Sequence, residues 1–331
     1  MPREILVTGG AGYIGAHVAK ALSEAGFAPV VVDNLSNGHR DAVRWGPLIE
    51  ADLNDAPALE PIFARHRIDA VIHLAAFIEV GESMHDPLRF FRNNVGGAMN
   101  LLAASRRARV PAIVFSSSAA VYGMPERELL AEDHPTRPVN PYGESKLAVE
   151  RILAWTEAAH GMRWRALRYF NAAGADASGA IGEDHRPESH LIPRACLAAL
   201  GAGPELQIFG TDYPTPDGTA IRDYIHVSDL AAAHVLALER LLAGGASGPL
   251  NVGAGRGHSV AEVIRAVEAA SGRKVPTRVA PRRPGDATVL VADISAAQSA
   301  LDWRPRHTDV VAIARSAWAW HVKRHAAAPP R

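Results

Sequence analysis

The sequence predicts an α/β fold, in which a Rossmann-like, doubly wound parallel sheet carries a smaller α/β C-terminal substrate domain. Two observations lead to this prediction. Short β-branched, apolar segments alternate with longer amphipathic ones through the first 170 residues, which is typical of βαβ units with helices on both faces of a parallel sheet. A glycine-rich turn, VTGGAGYIG, also connects the first predicted strand to the first helix, where such folds bind phosphates.

The elements can be assigned in order along the chain. We expect strands at 5–7, 30–33, 70–75, 112–118 and 165–170, with helices at 13–25, 56–66, 88–108 and 142–160. Asn140 and Pro141 have the residue types of an N-cap and a first-turn position for the last of these helices.

The two predicted domains are interleaved. A strand at 224–227, followed by a helix from Ser228, is expected to return to the main sheet. We therefore assign 1–170 and 222–248 to the dinucleotide-binding domain, and 171–221 and 249–331 to the substrate domain.

Composition excludes several classes of protein. Thirty-five basic residues balance thirty-five acidic ones, so no net field favours nucleic acid or an anionic membrane surface. The single cysteine, Cys196, excludes an internal disulfide and suits a reducing compartment. The N-terminus lacks the layout of a secretory signal, and the apolar stretches fall short of the ~20 residues of a membrane span. We expect a soluble, cytoplasmic protein without a membrane or nucleic-acid partner.

The glycine turn is a candidate pyrophosphate site. Gly9, Gly12 and Gly15 would let the backbone approach a phosphate closely, and the helix that opens at Tyr13 and Ile14 presents N–H groups and a positive dipole end. Glycine-rich turns also serve plain chain reversal, so the order of strand, glycines and helix carries the prediction.

A carboxylate follows the second strand, about 20 residues beyond the glycines. Asp33 would accept hydrogen bonds from the adenosine ribose and repel a 2′-phosphate, so the sequence favours NAD over NADP. Asp33 could instead begin a turn, while His39 and Arg40 could recruit a 2′-phosphate. Asp52 follows the third strand as either an adenine contact or a strand-end cap.

A tyrosine and a lysine lie four residues apart in NPYGESK, residues 140–146. Tyr142 and Lys146 would share a helix face, where the ammonium and the helix dipole would stabilise a phenolate. FSSSAAVYG, residues 115–123, leaves the end of a strand, and a serine there could relay a proton from a substrate oxygen. Ser116, Ser117 and Ser118 remain alternatives on the residues alone.

These motifs resemble the extended short-chain dehydrogenase/reductase family. Longer strings, spread over nearly the full length, resemble its members that epimerise UDP-hexoses at carbon 4: DNLSNG at 33–38, VGES at 80–83, NNV at 93–95, LRYFNAAGAD at 167–176, FGTDYPTPDGTAIRDYIHVSDLA at 209–231 and APRRPGD at 280–286. The resemblance selects Ser118 and implies interconversion of UDP-glucose and UDP-galactose through a transient 4-keto sugar, with tightly bound, recycled NAD. Tyr142 would take the proton of the 4-hydroxyl.

The resemblance also implies the remaining contacts. Cofactor contacts fall to Gly9, Gly12, Tyr13, Ile14, Gly15, Asp33, Asn34, Asp52, Leu53, Asn94, Tyr142, Lys146 and Tyr169. Substrate contacts fall to Ser118, Tyr142, Asn171, Phe209, Arg222, Arg283, Asp286 and Leu290. Arg222 could instead form a structural ion pair with Asp223 or Asp229, and Phe209 could pack in the core. Leu290 would border the hexose and disfavour an N-acetylated sugar.

Other activities remain possible. A UDP-pentose epimerase or a nucleotide-sugar 4,6-dehydratase would share the cofactor and the tyrosine, although Ala119 and Ala120 offer no acid for elimination. A protein that binds NAD without turnover is a rival of another class.

Two further expectations concern assembly and metals. The resemblance suggests a homodimer through the helices near 88–108 and 142–160. Glu183, Asp184, His185, Glu188 and His190 match no ligand spacing, so we expect a solvated loop and no metal site.

Overall fold

Seven parallel strands form the largest sheet of the computed structural model, which describes residues 2–283 and 285–326. The strands of the described residues are β1 (Glu4–Thr8), β2 (Ala28–Asp33), β3 (Leu48–Glu50), β4 (Ile68–His73), β5 (Ala112–Ser118), β6 (Leu129–Leu130), β7 (Arg163–Tyr169), β8 (Asn171–Ala173), β9 (Leu206–Phe209), β10 (Ile221–His226), β11 (Gly248–Val252), β12 (Gly257–Ser259), β13 (Thr277–Ala280) and β14 (Val289–Ala292). In the large sheet they follow the order β11-β7-β5-β4-β1-β2-β3.

Helices pack on both faces of that sheet and also form a separate core. They are α1 (Tyr13–Glu24), α2 (Ala56–Arg65), α3 (Val80–His85), α4 (Pro87–Phe90), α5 (Gly97–Arg107), α6 (Pro141–His160), α7 (Leu191–Leu200), α8 (Val227–Leu242), α9 (Val260–Ser271), α10 (Ser295–Leu301) and α11 (Val310–Ala326). One apolar core joins β1, β4 and β5 to α1 and α8, and a second joins the opposite face to α2, α5 and α6. The predicted doubly wound α/β class is confirmed.

A smaller set of strands lies beside the large sheet. Strands β12, β10, β14 and β6 pair in that order, β8 also pairs with β10, and β9 pairs with β13. Helices α7, α9 and α11 pack together in a third core. Within the described ranges, no helix combines the length and the apolar character that crossing a membrane requires.

The expected return of residues 224–227 to the main sheet is wrong. Residues 224–226 lie in β10, in the smaller sheet, Val227 begins α8, and β11 is the strand that pairs with β7 instead. Helix α8 does return to the large sheet, where Leu230 and Leu238 are fully buried. Residues 223–226 of β10 are all buried, as are the central residues of β5 and β7, so the apolar pattern does not reveal which sheet such a strand joins. The assignment of 1–170 and 222–248 to one domain, and of 171–221 and 249–331 to the other, stays a prediction. Residues 1 and 327–331, at the two ends of these ranges, lie outside the described residues.

The helix expected at 88–108 is divided. A π-helical stretch, Phe91–Gly96, separates α4 from α5, and such stretches are frequent at functional sites. Helix α6 begins as predicted, because Asn140 Oδ1 accepts a hydrogen bond from Gly143 N at 2.8 Å and Pro141 occupies the first turn.

Candidate functional site

The carboxyl ends of the parallel strands meet at one edge of the large sheet. Strands β1, β4, β5 and β7 end there at Thr8, His73, Ser118 and Tyr169. From β1 the chain proceeds to β2 and β3 on one side of the sheet. It then crosses back to β4, which lies on the other side of β1. Ligands of open α/β sheets bind beyond the strand ends at such a switch point.

The glycine turn fits a phosphate at this edge. Gly9 has φ of 72° and an added Cβ would lie 2.6 Å from Ala75 N, while a Cβ on Gly15 would lie 2.1 Å from Gly9 O. The close approach of neighbouring backbone atoms therefore requires glycine at positions 9 and 15. A Cβ on Gly12 would have only Gly9 O, at 3.3 Å, within 4 Å. Gly12 is the N-cap of α1 and provides no side-chain cap, so the first turn of α1 faces open space and suits an anion.

Asp33 is held at the end of β2 by two backbone bonds. Its Oδ2 accepts from Ala11 N at 3.0 Å and its Oδ1 from Leu35 N at 2.8 Å, and burial raises the pKa of this carboxyl. The Leu35 bond is a turn interaction, so the turn interpretation is also correct. The Ala11 bond places the carboxylate against the glycine turn, where a ribose would lie.

The remaining candidates for the adenosine side of the cofactor, Asn34, Asp52 and Leu53, are hydrogen-bonded within the protein. Asn34 Nδ2 donates to Asp52 Oδ2 at 2.9 Å, and Asn54 N donates to Asp52 Oδ1 at 2.8 Å. The second bond is the strand-end cap considered above. Leu53 is buried, and its carbonyl accepts from Asn100 Nδ2 at 2.9 Å. These hydrogen bonds fix the positions of all three residues.

Three further cofactor candidates have side chains engaged within the protein. Tyr13 OH donates to Gly174 O at 2.6 Å, and Ile14 packs on the core, so their backbone N–H groups are the atoms aimed at a phosphate. Asn94, in the π-helical stretch, binds both polar atoms of the Phe77 backbone and donates to Ser145 Oγ at 3.0 Å. Its structural role is to attach the segment after β4 to α6.

Helix α6 places Tyr142 and Lys146 under the strand ends. Both are buried, and Lys146 Nζ lies 5.7 Å from the Tyr142 ring centroid. Lys146 Nζ also donates to Ser116 O at 2.9 Å. The predicted pair therefore forms on a buried helix face and not as an exposed i,i+4 pair.

The three serines of β5 have different partners. Ser116 Oγ and Tyr169 OH are 2.5 Å apart, and Ser117 Oγ donates to Glu150 Oε1 at 2.5 Å. Ser118 lies at the strand end, where its Oγ accepts from Ala120 N at 3.1 Å. A hydrogen bond from Ser118 also lowers the pKa of Tyr142 against a larger opposing effect of burial. Structure alone thus separates Ser118 from the other two.

Burial dominates the protonation of this pair. Burial, and then Tyr169, raise the pKa of Tyr142 well above its ordinary value. Burial lowers the pKa of Lys146 to about 7. The expected stabilisation of a phenolate by Lys146 is therefore not met by the chain alone, which holds the phenol protonated at neutral pH.

Sequence reasoning missed a buried network beneath the pair. Glu150 binds Arg168 through Oε2–Nη2 at 2.6 Å and Oε1–Nε at 3.0 Å. Arg168 Nη1 also donates to Tyr122 OH at 3.0 Å, and Tyr122 OH donates to Asn251 Oδ1 at 2.6 Å. The available signal was spacing, because Glu150 lies four residues beyond Lys146 and thus on the same face of α6.

The candidate diphosphate arginines lie in the smaller lobe. Arg222 pairs with Asp286 and donates to Ile221 O at 2.7 Å. Its partner is therefore neither Asp223 nor Asp229, the two alternatives from the sequence. Asn171 Nδ2 donates to the Asp223 carbonyl at 3.0 Å in the neighbouring strand.

Arg283 and Phe209 are stacked. The Arg283 guanidinium carbon lies 3.9 Å from the Phe209 ring centroid, and Phe209 is only partly buried, which disfavours plain core packing. Arg282 faces outward and donates to Asp212 Oδ1 at 2.8 Å.

Leu290 connects the lobe to the catalytic edge. It lies opposite Arg222 in the β10–β14 register and packs on a cluster that includes Ala119, Tyr122 and Leu147. It therefore lies near Ser118, at the place where a sugar would reach the tyrosine.

The solvated loop expected at 183–190 is wrong. Glu183 is 3% exposed, and the side chains of His185 and Glu188 are 18% and 8% exposed. The expectation of no metal site in this segment rests on the spacing of the residues in the sequence, and these burial values do not test it.

A parallel sheet with a glycine turn at its switch point and a buried tyrosine–lysine pair beside it defines a dinucleotide-dependent sugar-nucleotide or alcohol-modifying protein. Residues 5–253 match the NAD dependent epimerase/dehydratase family, and the chain belongs to that family. The turn at Gly12, the first turn of α1 and the Asp33 carboxylate fit its NAD cofactor.

Similar proteins include three whose lengths the chain matches almost completely. It is 50% identical to the UDP-glucose 4-epimerase of Rhizobium leguminosarum bv. trifolii, over 96% of this chain and 97% of that one. The UDP-glucose 4-epimerase of Brucella ovis, solved with NAD, is 48% identical with a TM-score of 0.94, covering 96% and 98%. That of Bifidobacterium longum, solved with NAD+ and UDP, is 39% identical with a TM-score of 0.91, covering 97% and 98%.

The Lys146 environment predicts a pH-dependent stability in nucleotide-free protein. Because burial lowers the pKa from 10.5 to about 7, the unfolded chain binds one more proton than the folded chain between these values. The free energy of unfolding should rise with pH there by up to about 1.4 kcal/mol per pH unit from this residue. Lys146→Met should lack that contribution. Urea unfolding from about pH 7 to about pH 9.5 measures both slopes, and parallel curves would contradict the low pKa.

Proposed function

We propose that the protein epimerises carbon 4 of a UDP-hexose, interconverting UDP-glucose and UDP-galactose through a transient 4-keto sugar with recycled NAD. The observation that carries the proposal is the meeting of Ser118, Tyr142 and Lys146 at the strand-end edge, in a chain half identical to a UDP-glucose 4-epimerase over 96% of its length.

The chain's own residues handle the proton. NAD, when bound, supplies the acceptor and donor of the hydride at carbon 4. Tyr142 takes the proton of the 4-hydroxyl, with Ser118 holding the same oxygen, and returns the proton to that oxygen when the 4-keto sugar is reduced on either face of carbon 4. Lys146, 5.7 Å from the tyrosine ring, is placed to hold the nicotinamide ribose and to favour the phenolate when protonated.

The opposite end of the substrate anchors it. Arg222 and Arg283 are suited to the diphosphate because guanidinium groups bind phosphate oxygens in pairs. Phe209, already stacked on Arg283, would take the uracil, Asp286 the uridine ribose, and Asn171 the diphosphate or hexose. Gripping the nucleotide leaves the hexose free to turn over between the two hydride transfers.

The alternatives have less support. A 4,6-dehydratase needs an acid and a base near carbons 5 and 6, and Ser118 is followed by Ala119 and Ala120. A protein that binds NAD without turnover needs no pair of hydroxyls at the strand ends, where a hydrogen bond from Ser118 reaches Tyr142. A UDP-pentose remains within the same proposal as a second substrate.

We propose a cytoplasmic homodimer. Helices α3, α4, α5 and α6 expose large apolar side chains, among them Met84 at 60%, Leu88 at 67%, Met99 at 54% and Trp155 at 77%. Exposed apolar side chains on neighbouring helices favour association. Cys196, a buried free thiol, suits a reducing compartment. Sedimentation velocity that finds only monomer would contradict the dimer.

The purified protein should convert UDP-galactose to UDP-glucose without added cofactor, and Tyr142→Phe should nearly abolish turnover while UDP binding persists. The phenylalanine keeps the ring and removes only the proton acceptor. Proton NMR of the sugar products and calorimetry with UDP measure the two properties. A protein that stays inactive after NAD is supplied would contradict the function, whereas an active Tyr142→Phe variant would contradict only the base.

Arg222→Ala and Arg283→Ala should each weaken UDP binding by about 1.5–3 kcal/mol, the free energy typical of a lost charge-assisted bond, with NAD binding little changed. Arg282→Ala is the matched control, because Arg282 is exposed and pairs with Asp212. Calorimetry with UDP measures all three variants. Equal affinities for the three would assign Arg222 and Arg283 a structural role.

Leu290→Cys should raise turnover of UDP-N-acetylglucosamine more than turnover of UDP-glucose. The leucine side chain occupies volume beside Ala119 and Leu147, and fitting an acetamide into a filled site typically costs about 1–3 kcal/mol. Wild type should therefore have weak or no activity on the acetylated sugar. The ratio of the two activities in both proteins is the measurement, and an unchanged ratio would assign Leu290 to core packing.

A further inference from the structure

Four side chains converge in the segment between β8 and α7. Glu183, His185, Glu188 and His190 each direct one nitrogen or oxygen into a common space, where these atoms all lie within 4.8 Å of one another. Glu183 and Glu188 are buried there, with side chains 4% and 8% exposed. None of the four belongs to the proposed epimerase machinery.

The separations between these atoms are short. His185 Nδ1 lies 3.2 Å from Glu183 Oε1 and 3.6 Å from Glu188 Oε2. His190 Nδ1 lies 2.7 Å from Glu183 Oε1 and 3.3 Å from Glu188 Oε1. Tetrahedral coordination with bonds of 2.0–2.2 Å places ligand atoms about 3.3–3.6 Å apart, so the cluster already approximates a coordination shell.

Three of these buried atoms lack an aligned hydrogen-bond partner in the part of the chain that the structure describes. His185 Nδ1, His190 Nδ1 and Glu188 Oε2 are buried and have no hydrogen-bond partner among the described residues. Buried polar atoms are ordinarily satisfied. These three atoms belong to the set that converges on the space shared by the four side chains, so they are available as ligands of an ion there.

We propose that Glu183, His185, Glu188 and His190 bind one divalent transition-metal ion, with Zn²⁺ as the best match. Two imidazole nitrogens and two carboxylate oxygens form a donor set suited to zinc and its neighbours in the first transition row. Mg²⁺ and Ca²⁺ prefer shells made of oxygen. The ion also neutralises two buried carboxylates.

The surroundings hold the ligands in place. Glu188 Oε1 accepts from Ser189 N at 2.7 Å and from His190 N at 2.8 Å. The Glu183 carbonyl accepts from Trp320 Nε1 at 2.8 Å, in helix α11. Such outer contacts orient the ligands of metal sites.

The ion would have a structural role, because it would hold residues 183–190 in place. The segment already contacts the dinucleotide side, because His185 packs edge-on to Tyr13 with ring centroids 6.4 Å apart, and His39 Nε2 lies 2.7 Å from Asp184 O. His190 is also the N-cap residue of α7. A metal bound by both ends of the segment fixes it against the first turn of α1 and against α7.

Protons are the competing occupant. Burial lowers the pKa of His185, but Glu183 and Glu188 outweigh this effect and raise it to about 9. Two imidazolium ions paired with two carboxylates would also balance charge. The two occupants differ in a measurable way. Only a metal site binds a stoichiometric ion, and only a metal site gives ligand-field absorption when Co²⁺ is the ion bound.

The test uses tag-free full-length protein, treated with chelator and then titrated with Co²⁺ and with Zn²⁺. We expect one ion per chain by plasma emission spectrometry, visible absorption from bound Co²⁺ that Zn²⁺ displaces, and a higher Tm with Zn²⁺. His185→Asn and Glu188→Gln should each weaken Zn²⁺ binding by at least about 100-fold, since loss of outer contacts alone costs 10–100-fold.

His66→Asn is the matched control. His66 also lies beside a carboxylate, with Nδ1 3.0 Å from Glu4 Oε1, but without a second pair. Its variant should keep wild-type Zn²⁺ affinity. Binding of less than one ion per chain in wild type, or equal affinity in wild type and both cluster variants, would overturn the site and leave the proton-balanced cluster. Neither result depends on epimerase activity, so the metal site and the proposed function fail separately.

Discussion

The buried Glu150–Arg168 pair is the interaction on which the catalytic geometry depends. It joins α6 to β7, and Ser117 extends it to β5. Tyr142, Lys146 and Glu150 follow one another at four-residue intervals, so the bond that secures the helix also fixes the tyrosine and lysine under the strand ends. Removing one partner of such a pair leaves an uncompensated buried charge, at a typical cost of about 3–5 kcal/mol. The network is thus part of the site, although none of its members is placed to touch a sugar.

Burial sets a second constraint on the same face. It raises the pKa of Tyr142 and lowers that of Lys146, so the chain alone disfavours the phenolate and ammonium that proton transfer requires. Perturbed groups of this kind are frequent at functional sites, where a ligand alters the local charge. A cationic cofactor bound beside the pair would shift the tyrosine toward ionisation. The protein therefore keeps Tyr142 a neutral phenol and disfavours the charged form of Lys146 until its ligands are present, while the surrounding sheet offsets the unfavourable free energy of desolvation.

Local patterns predicted most of the fold, and long-range contacts account for most of what they missed. The strand at 112–118 and the cap of α6 matched because strand length, serine content and an Asn-Pro start are local signals. The sheet that β10 joins was missed because apolar strands buried on both faces look alike in sequence. Tyr142 and Lys146 were found by spacing, whereas Arg168 lies on another element, and only the folded sheet brings it to Glu150. The loop at 183–190 looked solvated because six of its eight residues are charged or histidine, yet Glu183 and most of the His185 and Glu188 side chains are buried.

The two sides of the site are held with unequal rigidity. On the cofactor side, Asp33, Asn94 and Tyr13 are all bonded within the protein, and the segment after β8 is tied to α1 through Asp176 and Lys20 at 2.6 Å. On the substrate side, Arg283 is exposed, and Arg222 is paired with a partly exposed carboxylate that a nucleotide can rearrange. Preformed contacts favour tight binding because little ordering remains to oppose it. An exposed stacked arginine allows exchange. This asymmetry suits a reaction in which the dinucleotide stays bound through many turnovers while the sugar nucleotide enters, turns over and leaves.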